Sequence, residues 1–252
     1  MRLSTATLLA FTALSMTACA SGQRQGPTTK VINRVLSTAP GEAQPSNIVK
    51  TEISYGKAAQ ANGQYTAGLE YGAPGALLHG RNGPVPFAAL ADATGDPEAA
   101  TEWGPRTVVM SCDGALALSQ GRFRDAEGFV GNYVTAWVRQ KDNNYKWAYD
   151  VAGRDNPQPL PRQQFEDGAI VVTALSSILG LVATCPPAGQ QVPPPPPMAI
   201  GEDGKSQAQL SKDGTLRWQW EHRDGGVKYV KAEYFYEGAW EVAIEETLES
   251  PS

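Results

Sequence analysis

The strongest pattern in this chain is a set of runs rich in valine, tyrosine, tryptophan and threonine, separated by short polar breaks. Four such runs follow one another between residues 107 and 151. Two of the breaks are typical of hairpin turns: the pair Asp113-Gly114 and the stretch 141–144, which reads Lys-Asp-Asn-Asn. The pattern therefore predicts a meander of four antiparallel strands, of which the last two form a long hairpin over residues 128–151.

Apolar residues before this meander recur at helical spacing. From residue 46 onward, one broad arc at about 100° per residue holds an apolar stripe, and its members are Ile48, Val49, Ile53, Tyr55 and Ala59. Ser46 or Asn47 is a suitable N-cap and Gly63 a stop, while Glu52 lies inside the same arc. A second helix over 65–71, a short strand over 76–79 and a helical turn over 86–91 are predicted to follow.

The C-terminal part carries a second group of strand patterns. Trp218 and Trp220 alternate with Arg217 and Gln219, and Gly-containing turns follow at 224–226 and 237–238. We expect three antiparallel strands, over residues 216–221, 227–236 and 239–245. Three strands bury little surface on their own. We therefore expect their aromatic face to pack on the preceding α+β part of the chain or on a partner.

Two unusual segments connect these parts. Residues 169–183 are almost continuously apolar, but fifteen residues fall short of the roughly 20 that a membrane-spanning helix needs. A buried strand and helix, or a cover over the first domain, is the better interpretation. The run Pro193 to Pro197 indicates a polyproline II spacer, either a plain linker or a docking peptide for a partner.

The N-terminus predicts an exported protein. Arg2 precedes a mostly apolar stretch, residues 3–16, as in a secretory leader. Thr17 and Ala18 directly before Cys19 resemble the lipobox of bacterial lipoproteins, which implies lipidation of Cys19. Ala20 after it implies sorting to the outer membrane, with the body facing the periplasm. Plain secretion is the alternative.

The cysteine and charge counts bear on disulfide formation and on nucleic-acid binding. With Cys19 lipidated, Cys112 and Cys185 remain in an oxidising compartment, where one disulfide is the simplest expectation and two buried free thiols the alternative. The net charge is −5 and the basic residues are scattered, so nucleic-acid binding is not expected.

The predicted domains are a leader (1–18), a tether (19–45), an α+β domain (46–153), a Pro-rich and apolar connector (154–200) and a small β unit (201–252). Because the predicted helices precede the predicted strands, we expect the α+β fold class, with the helices packed on one face of a curved antiparallel sheet.

Residues 46–153 resemble the nuclear-transport-factor-2-like superfamily, and within it the SnoaL-like branch. The resemblance rests on S-C-D-G-A-L-A-L-S-Q-G-R-F at 111–123, Y-V-T-A-W-V-R-Q at 133–140 and Y-K-W at 145–147. It implies a cone-like fold in which a bent sheet wraps against helices around a cavity. Homodimers are common in similar folds. No catalytic residue can be carried over, and no cofactor or metal is predicted.

Within such a cone, five residues are predicted to contact a ligand: His79, Tyr133, Trp137, Arg139 and Asp150. Tyr133, Trp137 and Arg139 share one face of their strand with Thr135. His79 is expected at the cavity mouth, or otherwise in an exposed loop. Asp150 is expected either to pair with a cation such as Arg139 or to present its carboxylate to the cavity.

Three functions remain open from the sequence. The first is binding of a small apolar ligand, or of an envelope partner, by the cone-like domain. The second is a purely structural role in which the C-terminal aromatic strands form a protein interface. The third is an isomerase- or cyclase-like enzyme with Asp150 as base and Tyr55 or His79 as hydrogen-bond donor.

Overall fold

The computed structural model describes residues 43–160, 177–187, 190–197 and 204–250. The predicted leader, Cys19, most of the tether and most of the apolar segment 169–183 lie outside these residues. Within them the chain is α+β, as predicted. No helix in the described ranges is long and apolar enough to cross a membrane.

The helices are α1 (Pro45–Asn62), α2 (Gln64–Tyr71) and α3 (Phe87–Thr94). The strands are β1 (Gly72–Gly80), β2 (Gly83–Pro86), β3 (Glu102–Met110), β4 (Leu116–Arg124), β5 (Val130–Arg139), β6 (Tyr145–Arg154), β7 (Leu179–Val182), β8 (Ser206–Leu210), β9 (Leu216–Arg223), β10 (Val227–Tyr236) and β11 (Ala239–Leu248).

The predicted meander forms the centre of a seven-stranded sheet with the order β2-β1-β6-β5-β4-β3-β7. Strands β3 to β6 pair antiparallel in sequence order, as predicted. Gly114 and Asn143 take positive φ in the two turns, 65° and 64°, which is the backbone that these turn residues tolerate. The sheet is mixed rather than antiparallel as predicted, because β1 and β7 flank the meander and pair in parallel with β6 and β3.

Helix α1 begins two residues earlier than a Ser46 cap would place it, and three earlier than an Asn47 cap. Its N-cap is Gln44, without a side-chain cap, and Pro45 occupies the first turn, where a missing N–H costs nothing. Its buried residues are Ile48, Glu52 and Ala59, whereas Ile53 is 50% exposed. The helix therefore turns the charged residue of the predicted stripe inward and one of its apolar residues outward.

A β-bulge in β6 changes which side chains share a face. Trp137 pairs with Trp147 and Ala136 pairs with Tyr149, so Ala148 is an extra residue opposite the β5 strand. Strict alternation would place Trp147 on the same face of the sheet as Tyr149, with Asp150 on the other face. The bulge instead places Trp147 and Asp150 on the helix side of the sheet, and Tyr149 on the other side.

The C-terminal strands form a separate antiparallel sheet with the order β11-β10-β9-β8. It has four strands rather than the expected three, because residues 206–210 add an edge strand. Its apolar face packs on the side of the first sheet that the helices leave open, where Trp218, Trp220 and Val230 share one core with Val134 and Tyr149. The layers are thus helices, seven-stranded sheet and four-stranded sheet.

The connector between the sheets is fixed at two places. Cys185, just after β7, forms the expected disulfide with Cys112 in the β3–β4 turn. The polyproline run then lies on the outer face of the second sheet, where Trp240 Nε1 donates to the Pro193 carbonyl at 2.9 Å. The predicted spacer is therefore docked on the chain's own sheet.

Candidate functional site

A cavity of about 190 Å³ lies between the helices and the first sheet. Helices α1 to α3 contribute one wall, and β1 and β3 to β6 contribute the other. Eight of its fourteen lining residues are aromatic. The lining consists of Tyr55, Gln64, Tyr65, Leu78, Phe87, Thr101, Trp103, Phe123, Tyr133, Thr135, Trp137, Trp147, Asp150 and Ala152.

Three of the five predicted ligand contacts lie in this lining: Tyr133, Trp137 and Asp150. Thr135 joins them, as expected from the period-2 alternation of β5. Arg139 lies on the same strand but beyond the cavity, at the end of β5 opposite Tyr145. The structure therefore does not bring it together with the other three.

His79 lies neither at the cavity mouth nor in an exposed loop. It sits within β1, next to the cavity-lining Leu78, so that alternation turns it to the other face of the sheet. There it is 2% exposed and hydrogen-bonds with the Tyr149 hydroxyl at 2.5 Å and with His222 at 3.0 Å. Burial, together with the neighbouring His222 and Lys228, lowers the pKa of His79 to about 3. The residue belongs to the packing between the two sheets.

Asp150 is the only acidic residue among the described residues of the lining. Of the two expectations for it, the structure shows a carboxyl group at the cavity. Thr135, its cross-strand neighbour, donates its hydroxyl to Asp150 Oδ1 at 2.5 Å. Burial raises the pKa of Asp150 to about 6, against the opposing effect of this hydrogen bond. Since no cation of the described part of the chain offsets the effect of burial, Asp150 titrates closer to neutrality than an ordinary aspartate.

A second carboxyl group lies directly behind the lining. The Tyr133 hydroxyl donates to Glu52 Oε1 at 2.5 Å, and Glu52 is 2% exposed. Its other oxygen, Oε2, is buried without a hydrogen-bond partner among the described residues. Burial raises the pKa of Glu52 to about 7, although the nearby hydroxyls of Tyr133 and Ser119 lower it and the charge of Asp150 raises it further.

Two glycines make room for the aromatic lining. A Cβ at Gly121 would lie 2.6 Å from the Tyr133 hydroxyl and 2.2 Å from the carbonyl oxygen of Gly104. A Cβ at Gly68 would lie 2.4 Å from the Phe87 ring. Such distances are too short for any side chain, so both positions require glycine for the rings to reach the cavity.

The aromatic walls are held by their polar atoms and by one another. Trp137 Nε1 donates to Ser119 Oγ at 2.9 Å, and Trp147 Nε1 donates to the Gly68 carbonyl at 3.1 Å. Tyr55 stacks on Tyr71 at 5.1 Å between ring centroids and meets Trp103 edge to face at 4.8 Å. The indoles are fixed before any ligand enters.

Of the residues at the cavity that were not predicted, Glu52 has a recognisable sequence signal. Glu52 stands inside the apolar arc of a helix, and a charged residue there is a candidate for a buried functional group. Trp103 and Phe87 stand among residues with no clear alternation or motif. Trp147 reaches the cavity through the bulge at Ala148, which nothing in the sequence marks.

The described residues offer no group of three or more His, Cys, Asp or Glu side chains that could hold a metal ion. The chemistry available at the cavity is therefore that of aromatic faces, hydroxyl groups and two carboxyl groups. No protein-family model matches the chain, and no curated protein matches it either.

Proposed function

We propose that this protein binds a small, largely apolar molecule in the aromatic cavity. The observation that carries the proposal is the lining, in which eight aromatic side chains surround about 190 Å³ beside one carboxyl group. A dry cavity of about 150 Å³ is large enough to bind benzene. The expected ligand therefore has a single ring or a short branched chain, and apolar walls with few polar groups suit such a site.

We further propose that residues 46–153 form a cone-like domain of the nuclear-transport-factor-2-like type. Support comes from the packing of the helices on one side of the sheet, where Ile48 and Phe87 meet Met110 and Trp137, and from the cavity between these layers. The resemblance of the sequence implies this arrangement.

The proposed location is the bacterial envelope, with the body in the periplasm and a lipid anchor at Cys19. The leader pattern carries this part of the proposal. The disulfide between Cys112 and Cys185 supports it, because such bonds persist in oxidising compartments.

Native mass spectrometry tests the binding function without knowledge of the ligand. Residues 20–252, recovered from a bacterial periplasm, should carry a discrete extra mass that disappears when the same sample is denatured. The alanine at position 152 lines the cavity, so Ala152→Phe should fill it and remove the extra mass. An apo mass for the native chain, or an extra mass that Ala152→Phe retains, would refute binding at this place.

An isomerase- or cyclase-like activity is the second candidate, favoured by one observation. A carboxyl group whose pKa is raised toward 6 by burial lines a mostly apolar cavity, which suits a general base near neutral pH. Asp150 would accept a proton from the carbon next to a carbonyl group. Tyr55, which lines the cavity, is the donor for the developing enolate oxygen, since His79 faces the other side of the sheet.

Deuterium exchange distinguishes this candidate from simple binding. If the protein is such an enzyme, cyclohexanone in heavy-water buffer should take up deuterium next to its carbonyl faster with the protein than without it. Asp150→Asn should abolish this increase in rate. Exchange at the buffer rate, or full exchange by the variant, would exclude Asp150 as the base.

The interface hypothesis loses two of the aromatic residues that motivated it. Trp218 and Trp220 are 6% and 4% exposed and pack against the first sheet. They contribute to the core between the sheets, so a partner would have to use other residues of the second sheet.

A further inference from the structure

The cavity lining has an unusual charge balance. It contains eight aromatic side chains and the carboxyl group of Asp150, but none of the described lining residues is lysine, arginine or histidine. Glu52 adds a second buried carboxyl group one hydrogen bond behind Tyr133. Two acids therefore face this region without a cationic side chain in the lining.

Four hydrogen-bond donors of the lining are already used inside the protein. The indoles of Trp137 and Trp147 donate to Ser119 and to the Gly68 carbonyl, as described above. The hydroxyls of Tyr133 and Thr135 donate to the two carboxyl groups.

Asp150 leaves a hydrogen-bond acceptor for a ligand. Its Oδ1 is occupied by Thr135, and the other oxygen, Oδ2, has no hydrogen-bond partner among the described residues. A ligand that enters can therefore donate to Asp150.

Aromatic faces and an uncompensated carboxylate favour the same kind of ligand. The faces of tryptophan and tyrosine rings attract cations through their quadrupoles, more strongly where water is excluded. Buried carboxylates cost free energy unless a positive charge lies nearby. A bound cation would offset that cost at Asp150 directly and at Glu52 through space, which a neutral molecule of the same shape cannot do.

We propose that the cavity selects a small organic monocation, an amine that carries one ring or a short branched hydrocarbon, over its neutral isostere. The hydrocarbon part contacts the aromatic walls, and the ammonium group donates to Asp150. This inference rests on the proposed binding function and names the class of ligand for that site.

A matched pair of probes tests it with the whole protein. Benzylamine and benzyl alcohol have nearly the same shape, and at about pH 8 an alkylamine remains charged while Asp150 is ionised. Isothermal titration should show benzylamine binding at least about tenfold more tightly than benzyl alcohol, as expected for a cation paired with a carboxylate beside aromatic rings.

Asp150→Asn keeps the shape of the side chain and removes its charge. It should reduce the preference for benzylamine over benzyl alcohol to less than about threefold. Asp92→Asn, an exposed position on α3 outside the lining, is the control and should keep the full preference.

The outcomes separate this inference from the function on which it rests. Equal affinity for the two probes, or a preference that Asp150→Asn retains, would overturn cation selection while binding in the cavity stands. No binding of either probe would overturn both.

Discussion

Replacement of Glu52 by glutamine tests the buried carboxyl group behind the cavity. Burial raises the pKa of Glu52 from 4.5 to about 7. Below pH 4.5 the carboxyl group is protonated in both the folded and the unfolded chain. As the pH rises from 4.5 to about 7, the unfolded chain releases the proton first, so the folded state loses stability across this window.

The size of the effect follows from the same two values. One pKa unit corresponds to about 1.4 kcal/mol, so Glu52 should lower the free energy of unfolding by about 3 kcal/mol above pH 7 relative to acid pH. Glutamine cannot ionise, yet its Oε1 still accepts the hydrogen bond from Tyr133. The free energy of unfolding of E52Q minus that of wild type should therefore rise by about 3 kcal/mol between about pH 4 and pH 8.

Urea unfolding followed by tryptophan fluorescence measures this difference, with ligand-free protein at several pH values. Because the comparison subtracts wild type, titrations of groups that do not interact with Glu52 cancel. Glu98→Gln, at an exposed position, serves as the control and should give a difference that does not change with pH. A difference for E52Q that stays flat within about 0.5 kcal/mol from about pH 4 to pH 8 would refute the burial of an uncompensated carboxyl group.

Three further predictions concern stability. Replacing Cys112 and Cys185 by alanine opens a cross-link of 73 residues and should lower the free energy of unfolding by about 4 kcal/mol; a loss below about 1 kcal/mol in urea would contradict this. Gly121→Ala should cost about 1–3 kcal/mol by overpacking, whereas Gly104→Ala, whose Cβ meets nothing within 4 Å, should change little; equal melting temperatures would argue against the tight contact. Folding lowers the pKa of His79 from 6.5 to about 3, so the unfolded chain binds the proton first on acidification. The free energy of unfolding of wild type should therefore fall by about 1 kcal/mol through this group between about pH 7 and 5.5. His79→Gln should lack this part of the decrease, and identical pH profiles of the two proteins would contradict it.

The hairpins and the face of β5 could be predicted because they depend on local rules. Asp113-Gly114 and the polar stretch 141–144 supply backbone conformations that hairpin turns require. The alternation of Tyr133, Thr135 and Trp137 with small apolar residues defines two faces whatever the sheet packs against. These signals need no knowledge of the rest of the chain.

The remaining features depend on contacts between distant parts of the chain. Glu52 lies inward because Tyr133, 81 residues away, supplies its hydrogen bond, and no local rule favours a glutamate there over Ile53. The bulge at Ala148 reverses the expected faces of β6 without a glycine or other sequence mark. His79 faces the second sheet, where Trp220 and His222 pack against it, and the position of that sheet was not predictable from spacing.

The six tryptophans allow a direct test of the proposed binding site. Trp103, Trp137 and Trp147 line the cavity, whereas the other three, Trp218, Trp220 and Trp240, belong to the second sheet. Titration of ¹⁵N-labelled protein with benzylamine, and separately with benzyl alcohol, should shift the indole N–H resonances of the cavity group and leave the other three in place. Shifts confined to the second sheet, equal shifts in all six, or no shift with either probe would contradict a ligand site between the helices and the first sheet.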